Sequence, residues 1–228
     1  MGASSFLIVP VKRAVGSKQR LASGLPADVR QLLSRALAAR MVRCAAEAWP
    51  AEQVVVVGDD PELATLCGRL GLTTIWDAGE GQSEAVRAGQ RWCLERGAKT
   101  LVTVAADLPR AETIDLRRLL ELAGQLAPNS LALIPDLGGT GTNGLLLNPA
   151  DQDPFLFGPD SLRRHQQRGA LLGLEVSLLD LPRLSWDVDR IEDLSPASPV
   201  PDDAHPVLAW AHEIARLNQR PLGGSDGR

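Results

Sequence analysis

Three aspartates have the clearest capacity for chemistry in this chain. Asp107 stands in Ala105-Ala-Asp-Leu-Pro109, directly after the apolar run Thr100–Ala105, and Asp187 and Asp189 stand in Ser185-Trp-Asp-Val-Asp189. In an extended segment residues two apart point to the same side, so both carboxylates of the second cluster can face one point. Neighbouring like charges repel unless a cation lies between them, and carboxylate oxygens suit a divalent cation that bridges nucleotide phosphates. A lone aspartate after a strand is more often a turn former or helix cap, so the metal reading depends on Asp107 converging with the other two.

Groups suited to anions complete the set. Val9-Pro-Val-Lys-Arg13 and Lys18-Gln-Arg-Leu-Ala22 place Lys12, Lys18 and Arg20 just beyond the first apolar run. Ammonium and guanidinium groups there match polyphosphate oxygens, or they form a solvated basic loop. Gly138-Gly-Thr-Gly-Thr142 can present successive backbone amides as an anion nest, with Thr140 and Thr142 hydroxyls as further donors. Gly158-Pro-Asp-Ser161 precedes a polar helix whose free amides form a second anion site, with Asp160 or Ser161 as its cap. No Walker-type loop occurs, which speaks against P-loop chemistry. His165, His205 and His212 lack a neighbouring Ser or Cys nucleophile, and Cys44, Cys67 and Cys93 read as small core residues.

Alternating short and long elements must position these groups. Strands are expected at Phe6–Val11, Gln53–Val57, Thr73–Trp76, Thr100–Ala105, Leu131–Pro135, Glu175–Leu181 and Leu184–Trp186, with an apolar run at Gly144–Leu147. Helices are expected over Pro26–Trp49, from Asp59-Asp-Pro61 to near Gly71, and over Gln82–Arg96, Glu112–Leu126 and Leu162–Arg168. This alternation predicts a parallel-dominated sheet with helices on both faces. Ligands of such sheets sit beyond the carboxyl ends of the strands, where Lys12, Asp59, Asp77, Asp107 and Asp136 fall. Residues 1–194 read as one domain; 195–228 read as a Pro-rich linker, a short helix and a Gly-rich tail.

Composition narrows the partners. The 228 residues carry a net charge of −4 and 4% aromatics without Tyr, so bulk attraction to nucleic acid and base stacking are both disfavoured. No run approaches the roughly 20 apolar residues that span a bilayer. The odd, scattered cysteines fit a reducing compartment, and the expectation is a cytoplasmic protein.

Taken in order, Val9-Pro-Val-Lys-Arg with Lys18-Gln-Arg-Leu-Ala, Asp107-Leu-Pro, Gly138-Gly-Thr-Gly-Thr-Asn143, Phe157-Gly-Pro-Asp-Ser161 and Asp187-Val-Asp189 resemble the guanylyltransferases of coenzyme F420 biosynthesis. The pairing of GGTGTN with FGPDS makes the resemblance specific, and it runs from about residue 5 to residue 194. It implies a three-layer α/β/α nucleotidyltransferase fold of the glycosyltransferase-A-like type, with a mixed, mainly parallel sheet. It also implies GTP as donor, Mg²⁺ as cofactor, and 2-phospho-L-lactate, phosphoenolpyruvate or 3-phosphoglycerate as acceptor. By the same resemblance Asp107, Asp187 and Asp189 hold metal, Thr142, Gly158 and Ser161 bind the acceptor's carboxylate and phosphate, and Lys12, Lys18 and Arg20 face the nucleotide phosphates. The start of the third helix departs from the pattern, with Gly81-Gln-Ser-Glu-Ala85 where relatives often carry Gly-Leu-Asn-x-Ala.

Two other readings share parts of this pattern. A related nucleotidyltransferase acting on a molybdopterin or sugar phosphate has the same metal logic, although a Gly-rich first loop usual in such enzymes is absent here. A nucleotide-binding module without turnover is the non-enzymatic alternative, against which the three retained acids speak.

Overall fold

The structure, a computed structural model, describes residues 5–11, 19–76, 81–189 and 191–194. Lys12, Lys18, Asp77, His205 and His212 lie outside the described residues, as do the expected linker over 195–201 and the expected helix near 204–217.

Apolar runs without polar alternation form the five inner strands, covered on both faces, while the two edge strands, Thr73–Trp76 and Glu175–Leu178, are partly exposed. These are β1 (Ser5–Pro10), β2 (Val54–Gly58), β3 (Thr73–Trp76), β4 (Thr100–Val104), β5 (Ser130–Pro135), β6 (Thr142–Asn148) and β7 (Glu175–Leu178). They make one sheet in the order β3-β2-β1-β4-β6-β5-β7. All pairings are parallel except the two made by β6, which runs antiparallel to β4 and β5. The helices are α1 (Ala27–Ala48), α2 (Pro61–Arg69), α3 (Gln82–Leu94), α4 (Thr113–Gln125) and α5 (Ser161–Leu171).

Successive strand residues point to opposite faces and so feed two separate cores. Leu7, Val9, Val56, Val102 and Val104 pack with Met41 of α1, Leu63 of α2 and Leu116 of α4. Phe6, Ile8, Val55, Val57 and Leu101 pack on the other face with Val86 and Cys93 of α3 and Leu162 of α5. This is the expected three-layer α/β/α arrangement. All three cysteines are free and buried, and burial pushes the Cys93 thiol up to about 12, as suits a core residue.

A third cluster fixes the chain near the functional edge. Leu21 and Leu25, Val29, Leu33 and Leu37 of α1, and Leu194 enclose Trp186 and Val188. Alternate residues of the segment 186–189 are thus anchored in apolar surroundings, while Asp187 and Asp189 stay partly accessible.

The elements differ from expectation at several ends, with α5 running from Ser161 to Leu171 rather than from Leu162 to Arg168 and smaller shifts elsewhere. β6 starts at Thr142, ahead of the apolar run from Gly144, because Thr142 pairs with Pro135 across a bulge at Asn143 of β6. β7 ends at Leu178 rather than Leu181. The expected strand Leu184–Trp186 is a turn: the amides of Leu184 and Ser185 donate to the Leu181 carbonyl at 2.8 and 3.1 Å, and Asn143 Nδ2 donates to the Leu184 carbonyl at 3.1 Å. With those groups satisfied locally, Leu184 and Trp186 serve as buried packing residues instead of sheet partners.

Candidate active site

The antiparallel course of β6 positions the site. Its first residues, Thr142 and Asn143, arrive at the edge where the parallel strands end. The amide of Ala105, just past β4, donates to the Asn143 carbonyl at 2.7 Å, so the turn carrying Asp107 begins beside Asn143. Asn143 also reaches the second acidic cluster through its bond to Leu184, and its side chain hydrogen-bonds the Asp187 carboxyl.

Asp107, Asp187 and Asp189 converge, although 80 residues of chain separate the first two. Burial pushes the Asp187 carboxyl up to about 6, and the charges of Asp107 and Asp189 act in the same direction, opposed by the Asn143 hydrogen bond. Arg20 Nη1 donates to Asp189 Oδ2 at 3.1 Å, which brings the end of the basic first loop to the acids. Among the described residues no three acidic, imidazole or thiol side chains form a preassembled metal site. The donor set still fits a hard divalent ion, whose charge would relieve the crowding that keeps Asp187 protonated at mildly acidic pH.

The two glycine-bearing loops meet, but partly in ways the sequence does not suggest. The Thr140 amide, expected to serve an anion nest, donates to Asp136 Oδ1 at 2.8 Å. Gly141 is needed there, since a Cβ at that position would lie 2.7 Å from Asp136 Oδ2. The chain's own carboxylate therefore occupies part of the nest. The Leu162 amide at the start of α5 donates to the Thr140 carbonyl at 3.1 Å, so that helix amide is taken as well. Asp160 occupies the cap position of α5 with φ 52° but makes no side-chain capping bond. Gly158, at φ 120°, gives the loop a conformation that L side chains rarely adopt.

Thr142 and Ser161 nevertheless come into one region. Both are buried, and the Thr140–Leu162 bond ties their segments together. A second tie is the 2.9 Å contact between Thr142 Oγ1 and Nδ1 of His165. The amide of Phe157, next to Gly158, donates to Ser83 Oγ at 2.9 Å, so the departing sequence at the start of α3 supports this loop. Glu84 in the same stretch accepts from Arg87 at 2.5 Å, and Arg87 in turn holds Asp153 at 2.8 Å.

Sequence reasoning missed four of these residues. Asn143 lies in a quoted motif, yet its partners are 41 and 44 positions away. His165 has no neighbouring nucleophile in the chain to mark it. Ser83 lies in the quoted stretch Gly81–Ala85, where only the fold reveals its bond to the Phe157 amide. Arg110 follows Asp107-Leu-Pro, and its guanidinium lies 3.7 Å from the ring centroid of Trp186, beside Asp187. Burial lowers its pKa, and among the described residues its Nε has no hydrogen-bond partner.

A mixed, mainly parallel α/β/α sheet that brings carboxylates to the carboxyl ends of its strands is an arrangement shared with nucleotidyltransferases. The solved structure of a nucleotidyl transferase from Methanothermobacter thermautotroptrophicus shares this fold, with TM-score 0.60 at 14% identity over 95% of this chain and 100% of that one. Residues 5–197 match the family described as "Guanylyl transferase CofC like". A phosphoenolpyruvate guanylyltransferase from Rubrobacter xylanophilus is 36% identical over 84% of this chain and 92% of its own. A 3-phospho-D-glycerate guanylyltransferase from Colwellia psychrerythraea is 26% identical over 82% and 88%. The chain belongs to this guanylyltransferase family, as the resemblance of its motifs implies, and is a nucleotidyltransferase enzyme.

Proposed function

We propose that this enzyme transfers GMP from GTP to phosphoenolpyruvate, releasing pyrophosphate, as a step of coenzyme F420 biosynthesis in the cytoplasm. The convergence of Asp107, Asp187 and Asp189 beside the Thr142–Ser161 loop pair carries this reading. The acceptor is favoured by the relatives at 34–36% identity, which bear the name phosphoenolpyruvate guanylyltransferase.

A phosphate monoester is largely ionised near neutral pH, so its oxygen can attack the α-phosphorus in line without a strong general base. The enzyme's task is to align two mutually repelling anions. Asp107, Asp187 and Asp189 would hold Mg²⁺, which supplies positive charge to the phosphate oxygens when bound. Lys12, Lys18 and Arg20 would steady the departing pyrophosphate. The Thr142 hydroxyl and the loop bearing Gly158 and Ser161 would bind the acceptor's carboxylate and phosphate.

A second reading takes 3-phosphoglycerate as acceptor, as the name of the Colwellia relative suggests. Incubation with GTP, Mg²⁺ and each phosphorylated acid separately, with products identified by mass, tests both. The expected product is the diphosphate-linked guanosine adduct of phosphoenolpyruvate. A sole adduct with 3-phosphoglycerate or 2-phospho-L-lactate would reassign the acceptor, and no adduct with any acid would overturn the function.

A further inference from the structure

His165 sits inside α5 and is fully buried, with 0% of its surface exposed. Its two ring nitrogens face partners of unequal character. The backbone amide of Leu156 lies 2.9 Å from Nε2, and an amide N–H can only donate. Nε2 must therefore offer its lone pair. In a neutral ring the proton then belongs to Nδ1, which lies 2.9 Å from Thr142 Oγ1. That hydroxyl is compelled to accept, and its own hydrogen must point to a third atom. Among the described residues Thr142 Oγ1 makes no other hydrogen bond.

Two features hold this arrangement. The Phe157 ring stands edge-on to the imidazole, with centroids 4.7 Å apart and planes at 73°, and resists rotation of the ring. Burial pulls the imidazole pKa down to about 4, with the Arg164 charge acting the same way, so the neutral form prevails at pH 7. The imidazolium would also turn Nε2 into a donor facing the Leu156 amide.

We propose that His165 is a positioning residue that locks the Thr142 hydroxyl as a donor toward the phosphorylated acid acceptor. A hydroxyl that has already accepted one hydrogen bond and retains its own hydrogen matches an oxyanion, which only accepts. The same ring holds the Leu156 amide, one residue before the Phe157–Ser161 loop. One side chain therefore sets both walls of the acceptor region. This inference rests on the acceptor reading given above.

The test begins with the ring itself. In the full chain carrying His205→Gln and His212→Gln, His165 is the single histidine. Its ring-nitrogen NMR spectrum at pH 7 is expected to show the neutral form protonated at Nδ1. A proton on Nε2, or an imidazolium, overturns the proposal.

Kinetics supply the second arm. Thr142→Val is expected to raise the KM for the phosphorylated acid about ten- to a hundredfold, the usual worth of a hydrogen bond to a charged group. The KM for GTP should stay near its original value, and Thr142→Ser should restore the acid KM. His165→Leu should show the same split, whereas a purely structural role would shift both constants or only the melting temperature. An unchanged acid KM in Thr142→Val, with the unsubstituted enzyme active, refutes the proposal while leaving the function intact. An unsubstituted enzyme that turns over no acid removes both.

Discussion

A carboxyl group buried beside two others folds more readily as an acid than as an anion. For Asp187 the native pKa of about 6 lies above the unfolded value near 3.8. The native state then binds the proton more tightly, and the associated stability is complete below the unfolded pKa and lost as pH rises through 6. The shift corresponds to about 3 kcal/mol. Denaturant unfolding in chelator should therefore show stability falling between about pH 4 and 6. Asp187→Asn should flatten that slope and be the more stable protein at pH 8, yet be catalytically inert. An identical slope in the variant would show that Asp187 does not titrate in that window. Asp107→Asn should reduce turnover about a hundredfold or more while leaving the melting curve nearly unchanged. A variant turning over at the original rate would remove Asp107 from the metal set.

At the scale of elements, packing and capping make separable contributions. Trp186 anchors the segment that carries Asp187 and Asp189 and also stacks with Arg110. Trp186→Ala should cost about 3–5 kcal/mol of stability and most of the activity, because the carboxylates lose their backing. Asp60 instead caps α2 by accepting from the amides of Glu62 and Leu63 at 3.0 and 3.1 Å. Asp60→Ala, which also removes the ion pair with Arg35, should cost about 1–3 kcal/mol in a thermal melt and leave turnover intact, since α2 contributes no residue to the site. Loss of activity in this variant comparable to that in Trp186→Ala would mean that activity tracks global stability and not local placement.

The same elements show what was legible in the sequence. β3 runs over Thr73–Trp76 as periodicity predicts, because a short β-branched run between Gly71 and a polar stretch has few alternatives. Leu184 and Trp186 misled because a turn anchored by alternate apolar residues has the spacing of a half-buried strand. The three aspartates were legible by type and by position after apolar runs. Asn143 and His165 were not, since their roles exist only once β6 turns back between β4 and β5. An antiparallel insertion leaves no mark in hydrophobic periodicity, and the anion nest failed for a related reason: the Asp136 carboxylate reaches Thr140 only through the folded loop.

Across the whole molecule, one reversed strand in an otherwise parallel sheet brings both sets of candidate groups to a single edge. The parallel strands deliver Asp107, β6 delivers Thr142 and Asn143, and the third apolar cluster presses Asp187 and Asp189 toward them. Net charge contributes little, since a protein at −4 must concentrate cationic groups locally to hold a nucleotide and a phosphorylated acid together. Arg20 pairs with Asp189, and Arg110 stacks on Trp186 beside Asp187. Among the described residues no helix is long and apolar enough to cross a membrane. The most direct measurement follows guanosine adduct and pyrophosphate together in one reaction of GTP with phosphoenolpyruvate, with and without Mg²⁺. Equal amounts of the two products are predicted, only when Mg²⁺ is present, and with almost none from Asp107→Asn. Pyrophosphate released without adduct, or adduct formed equally well by that variant, would contradict the account.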